Sequence, residues 1–334
     1  MHPVKVAIAN ITVDKPTSWG NLTVFPLISG ARSSLDYLLL ADSVENGLVS
    51  VREVSEGGNV PSLVVENRAD KAVLIVDGEE LVGAKQNRVA NITMLIPARH
   101  KTTIPVSCVE QGRWSYSSEE FSVTDHVQYA RGRAEKLESV HQSMRATGTR
   151  QSDQSRVWRS IGEKARVMDA PSPTAAMDSI FERHTDALAD YVKAFVARDG
   201  QVGGLFVVAD ELVGLDSFDQ AATFEALLPK LVRSYAIDAL EKPSESQPSE
   251  SLSNAEAFFR RLADASLEDH EAIGLGSDVS IVAEDLVASA LVASETVVHL
   301  TAFSDTRRPR PSSQRRAYHA PSRQRHGSIR RRHR

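Results

Sequence analysis

From Val4 to Trp114 the chain runs as short apolar stretches rich in β-branched residues: Val4 to Val13, Leu22 to Leu27, Leu48 to Val54, Ser62 to Val65, Ala72 to Val76, Val89 to Ile96 and Ile104 to Val109. Gly57-Gly58-Asn59, Arg68-Ala69-Asp70 and Asp77-Gly78 separate them. Runs this short between such turn residues predict strands. Tyr37 to Ala41 is too short to declare a period and fits a strand or a helical turn.

The pattern changes near Asp125. His126 to Ala146 reads as a polar helix, Ser152 to Met168 repeats apolar residues at helical spacing, and Ala176 to Arg198 sets Ile180, Phe181, Leu188, Tyr191, Val192 and Phe195 on one face. Gln201 to Ala209 reads as a strand. Ser217-Phe218-Asp219-Gln220 has the form of a capping box for a helix reaching about Glu241, stopped by Pro243. After the low-complexity stretch 243–253, Asn254 can cap a short helix, and Asp278 to Ala283, Leu286 to Val292 and Thr296 to Phe303 read as strands.

Strands at both ends with helices between them predict an α+β fold: a β-rich part over 1–115, helices over 126–241 and C-terminal strands that share one mixed sheet with the N-terminal ones. The expected organisation is a single domain over 1–303 and a disordered basic tail over 304–334. Val73 to Gly83 and Leu205 to Gly214 echo each other as an apolar strand, an acidic turn and Glu-Leu-Val-Gly, which reads as two strand ends using common turn residues.

Charge sharpens this division. The 334 residues carry a formal net charge of -5, but Arg307 to Arg334 hold 11 of the 39 basic residues and no acidic ones. Residues 1–306 therefore keep 28 basic against 44 acidic residues, a formal -16. Such a body repels nucleic acid, so RNA contact is expected only through the tail. One cysteine, no secretion-signal pattern at the start and no apolar stretch of spanning length point to a cytoplasmic protein without a membrane segment.

Candidate chemistry concentrates in Asp77 to Trp114, where polar residues stand at successive strand ends. Glu79 and Glu80 suit a general base or the oxygen ligands of a divalent cation such as Mg²⁺. Lys85, Gln86, Asn87 and Arg88 offer cationic and amide groups for phosphate or a polar base, and Asn91 extends the patch inward. Glu110 and Arg113 can pair with each other or with a ligand, and Trp114 can stack on a base. Cys108 shares strand parity with Ile104 and Val106, which makes it a buried structural residue. The ten histidines show no zinc-binding spacing, and dinucleotide-binding, P-loop and serine-hydrolase motifs are absent from the sequence.

The blocks DGEELVGAKQNR (77–88) and IPVSCVEQGRW (104–114), the Gly203-Gly204-Leu-Phe-Val-Val strand with Asp216-Ser-Phe218-Asp, and the closing Val-Val-His299-Leu-Thr-Ala-Phe resemble the ADP-ribosylglycohydrolase- and rhodanese-phosphatase-superfamily-associated protein domain family. The resemblance spans roughly Pro16 to Phe303. It implies a context of enzymes that remove ADP-ribose or handle phosphate and sulfur groups. The expected function is binding or processing of an ADP-ribose-like or other nucleotide-derived ligand. Its alternatives are a non-enzymatic domain that recruits a partner enzyme, and RNA contact through the tail.

Overall fold

The computed structural model describes residues 1–31, 33–242 and 252–304, with the side chains of 252 and 253 left aside. The basic tail, on which the expectation of RNA contact falls, and most of the low-complexity stretch lie outside the described residues. In chain order the elements are α1 (Pro3–Ala9), β1 (Thr12–Val13), β2 (Thr17–Trp19), β3 (Leu22–Ile28), β4 (Tyr37–Leu39), α2 (Leu40–Glu45), β5 (Val49–Glu53), β6 (Ser62–Asn67) and β7 (Ala72–Ile75). Then come β8 (Glu79–Gly83), β9 (Arg88–Ala90), β10 (Met94–Ile96), β11 (Lys101–Cys108), β12 (Phe121–Val127), α3 (Ala130–Thr147), α4 (Gln154–Val167), α5 (Asp178–Arg183) and α6 (Thr185–Ala194). The chain continues through β13 (Gln201–Val208), β14 (Glu211–Phe218), α7 (Ala221–Leu240), α8 (Leu252–Asp264), β15 (Ser266–Glu271), β16 (Ser277–Val282), β17 (Leu286–Ala293) and β18 (Thr296–Ser304).

The α+β expectation holds, and strands from both ends do share a sheet, but that sheet is antiparallel throughout instead of mixed and takes only β1–β3 from the N-terminal part. Nine antiparallel strands run in the order β1-β3-β13-β14-β18-β17-β16-β15, with β2 beside β3, so both ends of the chain meet in one sheet. The middle of this sheet is buried on both faces, whereas its edge strands β2 and β15 are not. Along β13, Leu205 and Val207 pack with α1 and α8, while Phe206 and Val208 pack with the central helices. Alternate residues point to opposite sides, and both sides here are apolar, which is why the strand reads as one continuous apolar run. A six-stranded sheet, β12-β8-β9-β11-β6-β5, and a three-stranded one, β10-β7-β4, enclose a third apolar core around Val65, Ile75, Leu81 and Ile104.

Four local expectations are corrected. Val4 to Val13 is a helix before it is a strand: Pro3 occupies its first turn, the His2 ring accepts from the Val4 N–H, and Val4 and Ile8 are buried one turn apart. Val89 to Ile96 is two strands in different sheets, broken at Asn91. His126 ends a strand instead of opening a helix. Ser217 remains inside β14, and α7 begins after Gln220, whose side chain makes no capping bond. The echo between Val73–Gly83 and Leu205–Gly214 is not structural either. β13 and β14 form a direct hairpin over Ala209 and Asp210, both at positive φ, whereas β7 and β8 lie in different sheets.

One charged group joins the sheets. Arg133, completely buried on α3, donates Nε to Asp77 at 3.1 Å and both terminal nitrogens to Asp216 at 3.0 and 2.7 Å. Asp77 precedes β8 in the six-stranded sheet, and Asp216 lies on β14 of the large sheet. Asp77 also accepts from Lys136 at 2.5 Å, and Asp216 from the Tyr235 hydroxyl at 2.9 Å, with His299 Nε2 3.1 Å away. His299 is thus a hydrogen-bonded core histidine, held on its other side by Thr93. Burial pushes Asp216 up, but Arg133 and His299 outweigh it and hold the carboxyl far below the usual range. Gly78 makes room for this arrangement: at φ +83, a Cβ there would stand 3.0 Å from the Arg133 stem.

A cavity of about 720 Å³ opens between α3, the end of α7 and strands β16–β18. His141 lines it, buried, its Nε2 without a hydrogen-bond partner among the described residues. Burial first, then the Arg145 charge, depresses its pKa to about 4, with Glu268 pulling the other way and His270 adding to the depression.

Two measurements follow from these buried groups. Arg133→Met leaves Asp216 without its main counter-charge and is expected to cost about 3–5 kcal/mol in urea unfolding, the range for breaking a buried pair from one side. A loss under about 1 kcal/mol would show that His299, Tyr235 and Lys136 neutralise the carboxylates without it. For His141 the unfolded chain binds a proton near pH 6.5 that the folded one refuses until about pH 4, so stability falls as pH falls through that window. On going from pH 7 to pH 5, wild type should lose roughly 1–2 kcal/mol more than His141→Phe; equal losses would contradict a neutral buried imidazole.

Candidate functional site

Glu79 and Glu80 open β8, and as neighbours on a strand they face opposite ways. Glu79 turns to α7, accepting from Lys230 Nζ at 2.9 Å while its other oxygen accepts from the Val76 N–H at 2.9 Å. Glu80 turns to His126 near the end of β12 and Asp178 at the start of α5. The β8–β12 register breaks between Val123 and Val127, and His126 lies within that irregular stretch. His126 Nε2 is 2.7 Å from Glu80 Oε2 and 3.6 Å from Asp178 Oδ1, and Nδ1 is 3.4 Å from Asp125 Oδ1. Phe181, on the same short helix as Asp178, stacks on the imidazole with centroids 3.8 Å apart.

The donor atoms of Glu80, His126 and Asp178 all lie within 4.8 Å of one another. Glu80 and His126 are buried, whereas the Asp178 side chain is 24% exposed and provides the edge facing water. Glu80 Oε1 has no hydrogen-bond partner among the described residues, a costly state for a carboxylate oxygen out of solvent. Burial drives Glu80 up to about 7 against the pull of His126. Burial works against the charged form of His126, but hydrogen bonds to Asp125 and Glu80 outweigh it and raise the ring to about 9. Asp178 is raised as well, mainly by burial. The arrangement can hold and move a proton between Glu80 and His126, and it presents nitrogen and oxygen donors to a cation.

Other residues expected at the site form a brace beside this centre. Glu110 takes Arg113 in a two-point pair at 2.9 and 2.6 Å, the Thr174 hydroxyl at 2.7 Å and the Asn87 N–H at 3.0 Å. Burial raises Glu110, but these donors together prevail and lower its pKa. Gln86 Nε2 donates to the Glu110 carbonyl, and Asn87 Oδ1 accepts from Arg113 Nη2. Cys108 is buried among them, 3.3 Å from Gln86 Oε1, with burial pushing its thiol up. Asn91 accepts from Ser107 and donates to the Arg150 carbonyl, which fixes the turn between β9 and β10 to the segment before α4.

Arg88 corrects the expectation most directly. Proposed from sequence as a phosphate contact, it is completely buried and donates to the carbonyls of Val60, Gln86 and Asn87. Lys85 and Trp114 do reach the surface. The Lys85 ammonium lies 5.2 Å from the Trp114 ring centre and 5.0 Å from that of Tyr116, and both aromatic residues are about half exposed. The expected residues therefore divide into a buried centre at Glu80, a brace, and an exposed cation–aromatic edge. Sequence reasoning missed His126, Asp178 and Lys230, which stand on elements distant along the chain; the alternation of Phe121 and Val123 before Asp125-His126 was the available sign of a strand there.

Removing Arg88 takes the side-chain donor from the Val60 and Gln86 carbonyls, whereas that of Asn87 keeps the Val109 N–H, and it takes the cation from beside the buried Glu53 carboxylate, so Arg88→Ala should destabilise the fold by about 3 kcal/mol. An unchanged melting temperature would place this guanidinium in solvent.

With the fold and these contacts established, comparison adds one match. No curated protein and no solved structure matches the chain. A family model matches residues 10–303 with the description ARG and Rhodanese-Phosphatase-superfamily-associated Protein domain. That stretch contains the Glu80 centre, the brace, and both carboxylates that hold Arg133, and on this match the chain belongs to that family.

Proposed function

We propose that this chain binds and processes a nucleotide-derived small molecule at the centre formed by Glu80, His126 and Asp178. The observation that carries the reading is the buried Glu80–His126 pair with one carboxylate oxygen that has no partner among the described residues, since a group so costly to bury is retained where it can meet a ligand. Glu80 is the base or ligand-holding carboxylate, His126 its proton partner, and Asp178 the contact nearest solvent. The choice of an ADP-ribose-like ligand draws support from the family's description, which associates it with ADP-ribosylglycohydrolases. Lys85 and Trp114 supply a cation and a stacking face at the surface, whereas Gln86, Asn87, Arg113 and Glu110 shape the brace between them.

A second reading rests on the exposed Trp114 and Tyr116 beside Lys85. Half-exposed aromatic residues next to a cation suit the anchor of a protein interface, so this edge can dock a partner enzyme. Replacing Trp114 with Ala separates the readings: loss of complex formation with an ADP-ribosylglycohydrolase, measured by size-exclusion chromatography, supports docking.

The direct test is a thermal-shift series with ADP-ribose, NAD and nucleoside mono- and diphosphates. Ligand present at about 100 times its dissociation constant stabilises the native state by about 2.7 kcal/mol, a rise of several degrees. Glu80→Gln should keep the unliganded melting temperature within a few degrees and abolish product formation followed by chromatography. No shift with any of these compounds, or undiminished turnover in Glu80→Gln, would overturn the proposal.

A further inference from the structure

We infer that Glu80, His126 and Asp178 bind a divalent first-row transition-metal ion. The inference rests on the role proposed for this centre and gives it a chemical identity.

Three features of the cluster favour an ion over a self-contained ion pair. An ion bonded at about 2.0–2.2 Å to imidazole nitrogen and carboxylate oxygen holds tetrahedral donor atoms roughly 3.3 Å apart. The separations of 2.7 Å to Glu80 and 3.6 Å to Asp178 bracket that spacing, so small side-chain rotations suffice. Glu80 Oε1 is a buried ligand atom without a hydrogen-bond partner among the described residues. Finally, His126 has the surroundings of a metal-bound imidazole: its far nitrogen faces the Asp125 carboxylate, and Phe181 fixes the ring plane. A carboxylate on the remote nitrogen sets the tautomer and strengthens the ring as a ligand.

The donor set narrows the ion. Mg²⁺ and Ca²⁺ favour oxygen cages, whereas one imidazole with two carboxylates suits Zn²⁺, Mn²⁺, Fe²⁺ or Co²⁺. No thiolate takes part, since the Cys108 sulfur is engaged with Gln86 and the Glu110 carbonyl. Three protein ligands leave a coordination position open for water or substrate, and the part-exposed Asp178 edge gives an entry route.

The test titrates the metal-stripped full chain with Co²⁺, read by visible absorption, and then displaces it with Zn²⁺. One equivalent should bind, and Asp178→Asn, with unchanged circular dichroism, should bind at least tenfold more weakly. Glu80→Gln should do the same. Folded wild type that takes up no Co²⁺ overturns the inference, as does equal uptake by wild type and Asp178→Asn, which would assign the ion to other histidines. If nucleotide-dependent stabilisation occurs and is lost in Glu80→Gln while no Co²⁺ binds, the metal is refuted and the ligand reading stands. Co²⁺ binding with no response to any nucleotide supports the metal and refutes the ligand reading.

Discussion

Arg133 is the charge on which the architecture turns. A fully buried guanidinium is tolerated only with paired carboxylates and satisfied donors, and here the two carboxylates come from different sheets. The pairing has a geometric consequence. Asp77 is held by Arg133 and Lys136 and its N–H by Thr93, so the turn at Asp77-Gly78 has one position relative to α3 and the large sheet. β8 starts directly after that turn, and the direction of Glu79 and Glu80 is set by it. Asp77 is thereby a structural counter-charge to Arg133 and Lys136.

From this fixed start the two glutamates diverge. Glu79 is neutralised by Lys230 and fastens α7, while Glu80 meets His126 and Asp178 from β12 and α5. The centre thus joins elements from the six-stranded sheet and the helical layer, with Phe181 and the Asp125–Arg233 pair around the imidazole. The Glu110 brace adds rigidity, because its two-point pair with Arg113 also fixes Asn87 and, through Thr174, the segment leading to α5. Preorganisation of this kind is what a working site requires, since misplacement by about 1 Å can forfeit much of the chemistry.

Much of the fold was legible because its strands are bounded by strong turn chemistry and its terminal strands share an apolar pattern. The errors have particular physical causes. At Val4 to Ile8 a short apolar run fits either period, and Pro3 decided for a helix. At Ser217 a capping pattern lay within a strand whose pairing with β13 and β18 outweighed the local preference. The site was legible only on one side. Glu79, Glu80 and the brace residues cluster in sequence, so their region stood out. His126 and Asp178 are brought to Glu80 by β12 and α5, and no spacing announces a meeting between such distant positions. Arg88 shows the reverse case, a cation that looked exposed by type but lies buried, donating to the carbonyls of Val60, Gln86 and Asn87.

The central claim is that the anchored turn presents Glu80 to His126 and Asp178 as a metal-binding centre. An anomalous difference map from crystals grown with Co²⁺ tests this most directly. The account predicts a peak at about 2.0–2.2 Å from one donor atom of each of the three residues. A well-ordered Glu80–His126 pair with no peak between these side chains would contradict it.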